Sequence, residues 1–218
     1  MRSRWTPFSH PLAAACCAAT VLMLALGGVV PAGEPAMDAP PKVLLEWGQR
    51  GDGPGEFYSP VCIAIDTHRG NEVVVADLNN SRIQRFDPAG KFLSAFDLPL
   101  DKAPRKSCIV GGIACLPEGA LLVAFMVQHR IAAYSLDGKV LREWGQKGTC
   151  NGEFNQPGGI VIRGNGEVVV ADQCNHRIQV FSAEGEYRSQ FGGHGSAAGQ
   201  FGGSEPAGSR FGGPHYLS

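Results

Sequence analysis

The strongest constraint on this chain is that it repeats itself every 47 to 49 residues. Glu46-Trp47-Gly48-Gln49 returns as Glu143-Trp144-Gly145-Gln146, and Val73-Val74-Val75-Ala76-Asp77 as Val168-Val169-Val170-Ala171-Asp172. Asn80-Ser81-Arg82-Ile83-Gln84 returns as Asn175-His176-Arg177-Ile178-Gln179. A degenerate copy lies between these two. Trp47, Phe96, Trp144 and Phe191 follow one another in one register, as do Arg82, Arg130 and Arg177, and the turn glycines Gly90, Gly138 and Gly185. Each repeat must therefore be one structural unit stacked on its neighbours.

The unit resolves into four short strands. In the first copy these are Val61 to Ile65, Glu72 to Ala76, Ser81 to Phe86 and Lys91 to Phe96, with turns at His68 to Asn71 and Pro88-Ala89-Gly90. Val73 to Ala76 and Ile160 to Ile162 are apolar throughout, so the first two strands of each unit are expected to be buried on both faces. Gly or Asp closes each run too early for a helix. The 30 glycines and 15 prolines, with only 18% charged residues, suit a chain of many tight turns. The expected fold class is all-β. It is a β-propeller of four-stranded blades, three complete repeats plus the start of a fourth.

The string Gly55-Glu56-Phe57-x-x-Pro60, then Val75-Ala76-Asp77-x-x-Asn80-x-Arg82-Ile83, resembles the NHL repeat, and the copy from Gly152 to Phe181 resembles it still more closely. The resemblance covers about residues 43–214. It implies a protein- or carbohydrate-binding propeller with no cofactor. Asp77, Asn80, Arg82, Asp172, Asn175 and Arg177 are expected to form a structural clamp across the turn between strands two and three. In the middle copy Phe125 stands where the Asp would be, which leaves Arg130 to bond a backbone carbonyl or to face an outside anion. Arg130, His176 and His215 are the candidate ligand contacts.

A propeller of this kind also resembles the amidating lyases in fold. Their zinc-ligating His follows the Pro that opens the inner strand. Here those positions hold Val61, Ile109 and Gly158, and only His215 fits. Acidic residues for a lactonase-type calcium site do not gather at the channel. His129 and His176 occupy equivalent turns and would bridge an ion only with both rings turned inward. Of the cysteines after the leader, Cys62 and Cys115 belong to the core. Cys150 and Cys174 lie on loops that leave the same face of a propeller, and form a candidate disulfide.

Arg2 and Arg4 precede an uncharged apolar run from Leu12 to Val30, followed by Pro31-Ala32. Residues 1–33 are thus expected to be a cleaved signal peptide or an uncleaved membrane anchor, and either one exports the chain. Residues 34–42 read as a Pro-rich linker and 43–218 as the propeller. Without Arg2 and Arg4, the 19 basic residues become 17 against 20 acidic, a net charge of −3. That balance speaks against nucleic acid as a partner. Lys42 to Trp47 is expected to be the outer strand of a further blade. Three repeats do not close a ring of 4–8 blades. The expectation is a truncated or diverged copy, or self-association through open blade edges into a six-bladed ring. The function so indicated is a non-enzymatic extracytoplasmic binding scaffold. The alternative is a lyase- or lactonase-type enzyme with a metal at the channel mouth.

Overall fold

The computed structural model describes residues 42–99 and 109–202. Three four-stranded antiparallel sheets follow one another along the chain, each with its strands in sequence order. Blade A comprises β1 (Pro60–Asp66), β2 (Glu72–Asp77), β3 (Arg82–Phe86) and β4 (Phe92–Asp97). Blade B comprises β5 (Val110–Cys115), β6 (Leu121–Phe125), β7 (Arg130–Tyr134) and β8 (Val140–Trp144). Blade C comprises β9 (Pro157–Ile162), β10 (Val168–Asp172), β11 (Arg177–Phe181) and β12 (Tyr187–Gly192). A two-residue parallel pair, β13 (His194–Gly195) with β14 (Phe201–Gly202), closes the described chain. Among the described residues the helical elements are three single 3-10 turns. One of them, Thr67–Arg69, is capped by the Asp66 carboxylate and ended by Gly70 in the left-handed region.

The expected strands form, with ends moved by about a residue. Ser81 leaves β3 because it caps the preceding 3-10 turn with φ of 57°. The middle strands β2, β6 and β10 are buried along almost their whole length, as their unbroken apolar runs require. Side chains alternate across each strand, so every blade offers an apolar face to each side. Val74, Ala76 and Ile83 of blade A meet Leu121, Val123 and Tyr134 of blade B. Leu122, Ala124 and Ile131 on the other face of blade B meet Val168, Val170 and Phe181 of blade C. The inner strands β1, β5 and β9 lie side by side. At Gly111 the approach of β5 to β9 is so close that a Cβ would stand 2.7 Å from the Gly158 Cα.

An aromatic relay locks each blade to what precedes it. Trp144, the last residue of β8, packs on Phe181 with ring centroids 6.1 Å apart, and Phe154 of the following loop packs on it at 5.5 Å. Blade A repeats this with Trp47 and Phe57 on Phe86, at 6.1 and 5.5 Å. In blade B, Phe96 stacks on Tyr134 at 5.6 Å.

Two expectations are corrected. Lys42 to Trp47 forms no strand. β1 is not buried on both faces: Val61, Ile63 and Ile65 are exposed, while Cys62 and Ala64 pack toward blade B. The reason is the same in both cases, since no described sheet lies beyond blade A. The expected start of a fourth repeat, near Pro214, lies outside the described residues.

Phe181→Ala should remove the centre of the relay between blades B and C. The expected loss is about 4 kcal/mol of unfolding free energy, read from urea denaturation. A loss below about 1 kcal/mol would mean that the aromatic contacts do not couple the blades.

Candidate functional site

The loop from each outer strand to the next inner strand, and the turn between strands two and three, emerge on one face. In blades A and C their geometry follows from one buried carboxylate each, Asp77 and Asp172. Asp172, at the end of β10, has no exposed surface. Its Oδ1 accepts the Asn155 backbone N–H at 2.7 Å. Its Oδ2 accepts Asn175 Nδ2 at 2.8 Å, Arg177 Nε at 2.7 Å and Gln179 Nε2 at 3.0 Å. Arg177 in turn donates to the carbonyls of Thr149, Cys150 and Glu153 at 2.7, 2.8 and 2.9 Å. Asn175 donates to the Gly148 carbonyl at 2.8 Å. Blade A repeats the set. Asp77 accepts from the Tyr58 N–H at 2.7 Å, Asn80 at 2.8 Å and Arg82 Nε at 3.0 Å. Arg82 donates to the carbonyls of Asp52, Gly53 and Glu56.

The six expected clamp residues meet in both blades and span the turn, Asn175 and Arg177 on Asp172 and Asn80 and Arg82 on Asp77. They also bolt the incoming loop, 17 to 30 residues upstream, onto the blade. The guanidinium donates to the carboxylate and to three loop carbonyls, and in blade C also to Gln190 Oε1 on β12 at 2.8 Å, so these loop carbonyls are satisfied without strands or helices.

Sequence reasoning missed three positions of this set that recur in blades A and C: Gln84 and Gln179, Glu56 and Glu153, Gln49 and Gln146. Gln179 accepts from the Gly152 N–H at 2.9 Å and donates to the Glu153 carbonyl at 2.7 Å, and Gln84 makes the same pair with Gly55 and Glu56. Glu56 accepts from Gln49 Nε2 and the Gly53 N–H, and Glu153 from Gln146 Nε2 and the Cys150 N–H. These bonds, the side-chain amide first, lower both carboxyls below the ordinary glutamate value. The signal was available, because each of these residues recurs in the repeat register.

Blade B departs from the plan. Arg130 is neither free nor turned toward an outside anion. It donates to Glu143 Oε2 on β8 at 2.9 Å, and its guanidinium lies 5.5 Å over the Phe125 ring. With Asp replaced by Phe, the cation takes the nearest carboxylate of its own blade and the ring face below it.

The cysteine and histidine expectations divide. Cys150 and Cys174 are exposed free thiols and not a disulfide. The Cys174 Sγ donates instead to Gln156 Oε1 at 3.3 Å, and the backbone of Cys150 is held by Glu153 and Arg177. Cys62 and Cys115 pack against the cluster between blades A and B, where burial pushes their thiols up to about 11 and about 12. His129 and His176 occupy the same left-handed turn position, φ 53° and 52°, yet engage different groups. His129 Nδ1 accepts the Gln156 N–H at 3.0 Å, while the His176 ring stands edge-on to His194 with centroids 4.7 Å apart. Desolvation first, then the Lys147 charge, lowers the His129 pKa, and burial raises that of Cys174. Both shifts favour the neutral partners, the opposite of a thiolate–imidazolium pair. Among the described residues no three His, Cys, Asp or Glu side chains converge as metal ligands. His215 lies outside the described residues.

Two outcomes follow from this geometry. Asp172→Ala leaves Arg177 and the Asn155 N–H without their shared partner, and should cost about 3 kcal/mol in urea denaturation. An unchanged midpoint would show that the bolt carries no stability. For His129 the folded pKa lies below the ordinary 6.5, because burial and then the Lys147 charge disfavour the imidazolium, and the neutral ring is the form that accepts from Gln156. Its contribution is complete above pH 6.5 and is lost as the pH falls through the folded value. Between pH 7.5 and 5 the wild type should lose more stability than His129→Ala, and parallel pH profiles would contradict this assignment.

Comparison with known proteins agrees with this anatomy. The NHL repeat model matches residues 57–86 and 154–181. Over 51 residues the chain is 45% identical to Protein lin-41 of Caenorhabditis elegans, a match covering 23% of this chain and 4% of that protein. A catalytically inactive virginiamycin B lyase from Staphylococcus aureus, solved with quinupristin, is similar at 20% identity and a TM-score of 0.48, over 66% of this chain and 43% of the lyase. Hydrazine synthase of Kuenenia stuttgartiensis is similar at 15% identity and a TM-score of 0.47, over 62% and 36% of the two chains. The chain thus spans less than half the length of the proteins it resembles. Each matched stretch runs from the loop phenylalanine to the aromatic that ends the third strand, and takes in the bolt; blades A and C thus each carry an NHL repeat, within an all-β fold of propeller-type blades.

Proposed function

We propose that the chain is an extracytoplasmic, non-enzymatic scaffold that binds a protein ligand on the face where the bolted loops emerge. One observation carries this reading: loops held by the same bonds display different chemistry at the same positions. Arg50, Lys147 and His194 occupy one site, each in a bridge to the loop phenylalanine. Tyr58 and Asn155 occupy another, just beside the N–H held by the carboxylate. Asn79, Val127 and Cys174 form the turn tips. A fixed backbone with varied tips suits recognition, since little ordering entropy is lost on binding.

Tyr58 is exposed, and the Arg50 guanidinium lies 5.0 Å over its ring. Aromatic and arginine side chains are the types that dominate protein contacts, which favours a protein over a carbohydrate ligand. NHL-repeat propellers commonly mediate protein interactions. The export half of the proposal rests on the apolar run from Leu12 to Val30 after Arg2 and Arg4.

The test is selection of binders from a displayed peptide library against the chain from residue 34 onward, followed by calorimetry with the selected peptide. Tyr58→Ala should weaken binding roughly tenfold or more without shifting the unfolding midpoint. Binding to a glycan array with no peptide selected would replace the protein ligand by carbohydrate. Stoichiometric zinc or calcium, removed by chelator with loss of stability, would overturn the scaffold in favour of a metal-dependent enzyme.

A further inference from the structure

The sequence holds seven asparagines, and only Asn79 is followed two places on by a hydroxyl residue with no proline between, as Asn79-Asn80-Ser81. Asn-x-Ser/Thr is the acceptor pattern for an N-linked sugar in an exported chain. The other repeats show that the fold does not ask for these residues. In blade C the places of Asn79 and Ser81 hold Cys174 and His176, and in blade B Val127 and His129. Ser81 also stands at φ of 57°, where the backbone favours Gly or Asn over Ser.

The two neighbouring amides have opposite settings. Asn80 Nδ2 donates to the Gly51 carbonyl and to Asp77 Oδ2, each at 2.8 Å, and so belongs to the bolt. Asn79 is exposed, and its Nδ2 donates once, to Ser59 Oγ at 3.0 Å on the surface. An amide nitrogen that has taken a sugar keeps one hydrogen, so the Ser59 bond survives modification. The turn backbone is satisfied on its own: the Asn79 N–H donates to the Tyr58 carbonyl at 3.0 Å, and the Ser81 N–H to the Leu78 carbonyl at 2.9 Å. A sugar on Asn79 thus leaves the protein from a fixed turn tip, beside Tyr58 and clear of the bolt.

We propose that Asn79 is an N-glycosylation site. The donor is a polyprenyl-diphosphate-linked oligosaccharide, which meets the chain during export, before the turn closes. The Asn79 Nδ2 attacks the anomeric carbon of the first sugar. A nitrogen–carbon bond forms, and the carbon–oxygen bond to the diphosphate breaks. The diphosphate leaves with the electron pair, one amide proton passes to solvent, and nothing is oxidised or reduced. The bulky, polar sugar then stands at the blade A rim of the loop face. The inference rests on the export half of the proposed function and is independent of what the face binds.

The test is peptide mapping by mass spectrometry of the full chain, isolated from the cells that make it. Trypsin releases Gly70–Arg82, which contains Asn71, Asn79 and Asn80. Fragmentation that retains the sugar should place it on Asn79 and leave Asn71 and Asn80 bare. Ser81→Ala keeps the amide and its Ser59 partner but breaks the acceptor pattern. The sugar should be lost in this variant and in Asn79→Gln, with the amount of folded, exported protein unchanged. An exported chain with Asn79 unmodified would overturn the glycan and leave export standing. An unmodified chain retained in the cytoplasm would overturn both. A sugar that persists in Ser81→Ala would overturn Asn79-Asn80-Ser81 as the acceptor.

Discussion

A four-stranded sheet with apolar side chains on both faces cannot stand alone in water. Blade B shows the requirement met: its two faces are buried, one against blade A and one against blade C. Everything else in the structure follows from that need for neighbours. The inner strands come close enough at Gly111 that no side chain fits there. The aromatic at the end of each third strand is covered by an aromatic from the segment before the incoming loop, Trp47, Phe96 of β4 or Trp144 of β8. Stacking of this kind is close to a one-dimensional sum of unit and interface terms. Blade A accordingly shows its unmet interface as exposed isoleucines rather than as a distorted sheet.

Stacking leaves the loops to be organised by other means, and here polar burial replaces apolar burial. A carboxylate with no exposed surface is costly unless it is fully bonded. Asp77 and Asp172 each accept four hydrogen bonds, from a loop amide and three side chains. In blade B, where Phe125 stands in place of the carboxylate, Arg130 donates to Glu143. The two intact bolts make a pair of equivalent loops rigid in backbone and free in side chain. That combination is what the proposed recognition face needs.

Much of this was legible in the sequence because repetition separates pattern from accident. The strands, the turn glycines and the Asp–Asn–Arg set all appear as residues in register. The target of the clamp was not legible, since spacing shows that Asp172 and Arg177 are neighbours but not which backbone they reach. Gln84 and Gln179 were hidden for a related reason: a polar residue within a strand reads as a surface position until its burial is known. The Cys150 and Cys174 pairing failed because emergence on a common face does not set where a thiol points, and Gln156 took the Cys174 hydrogen bond. Lys42 to Trp47 repeats the pattern of β8, yet a strand needs a partner to exist, and none lies among the described residues.

The central claim is that buried carboxylates hold the recognition loops as firmly as the blades themselves. Native-state hydrogen exchange at the Tyr58 and Asn155 amides measures this directly, because each donates to the buried Asp of its blade. The account predicts that both exchange only through global unfolding, with the same opening free energy as amides of β2 and β10. Exchange at these two amides through local opening, orders of magnitude faster than in those strands, would show that the loops fray independently and that the bolt does not fix the face.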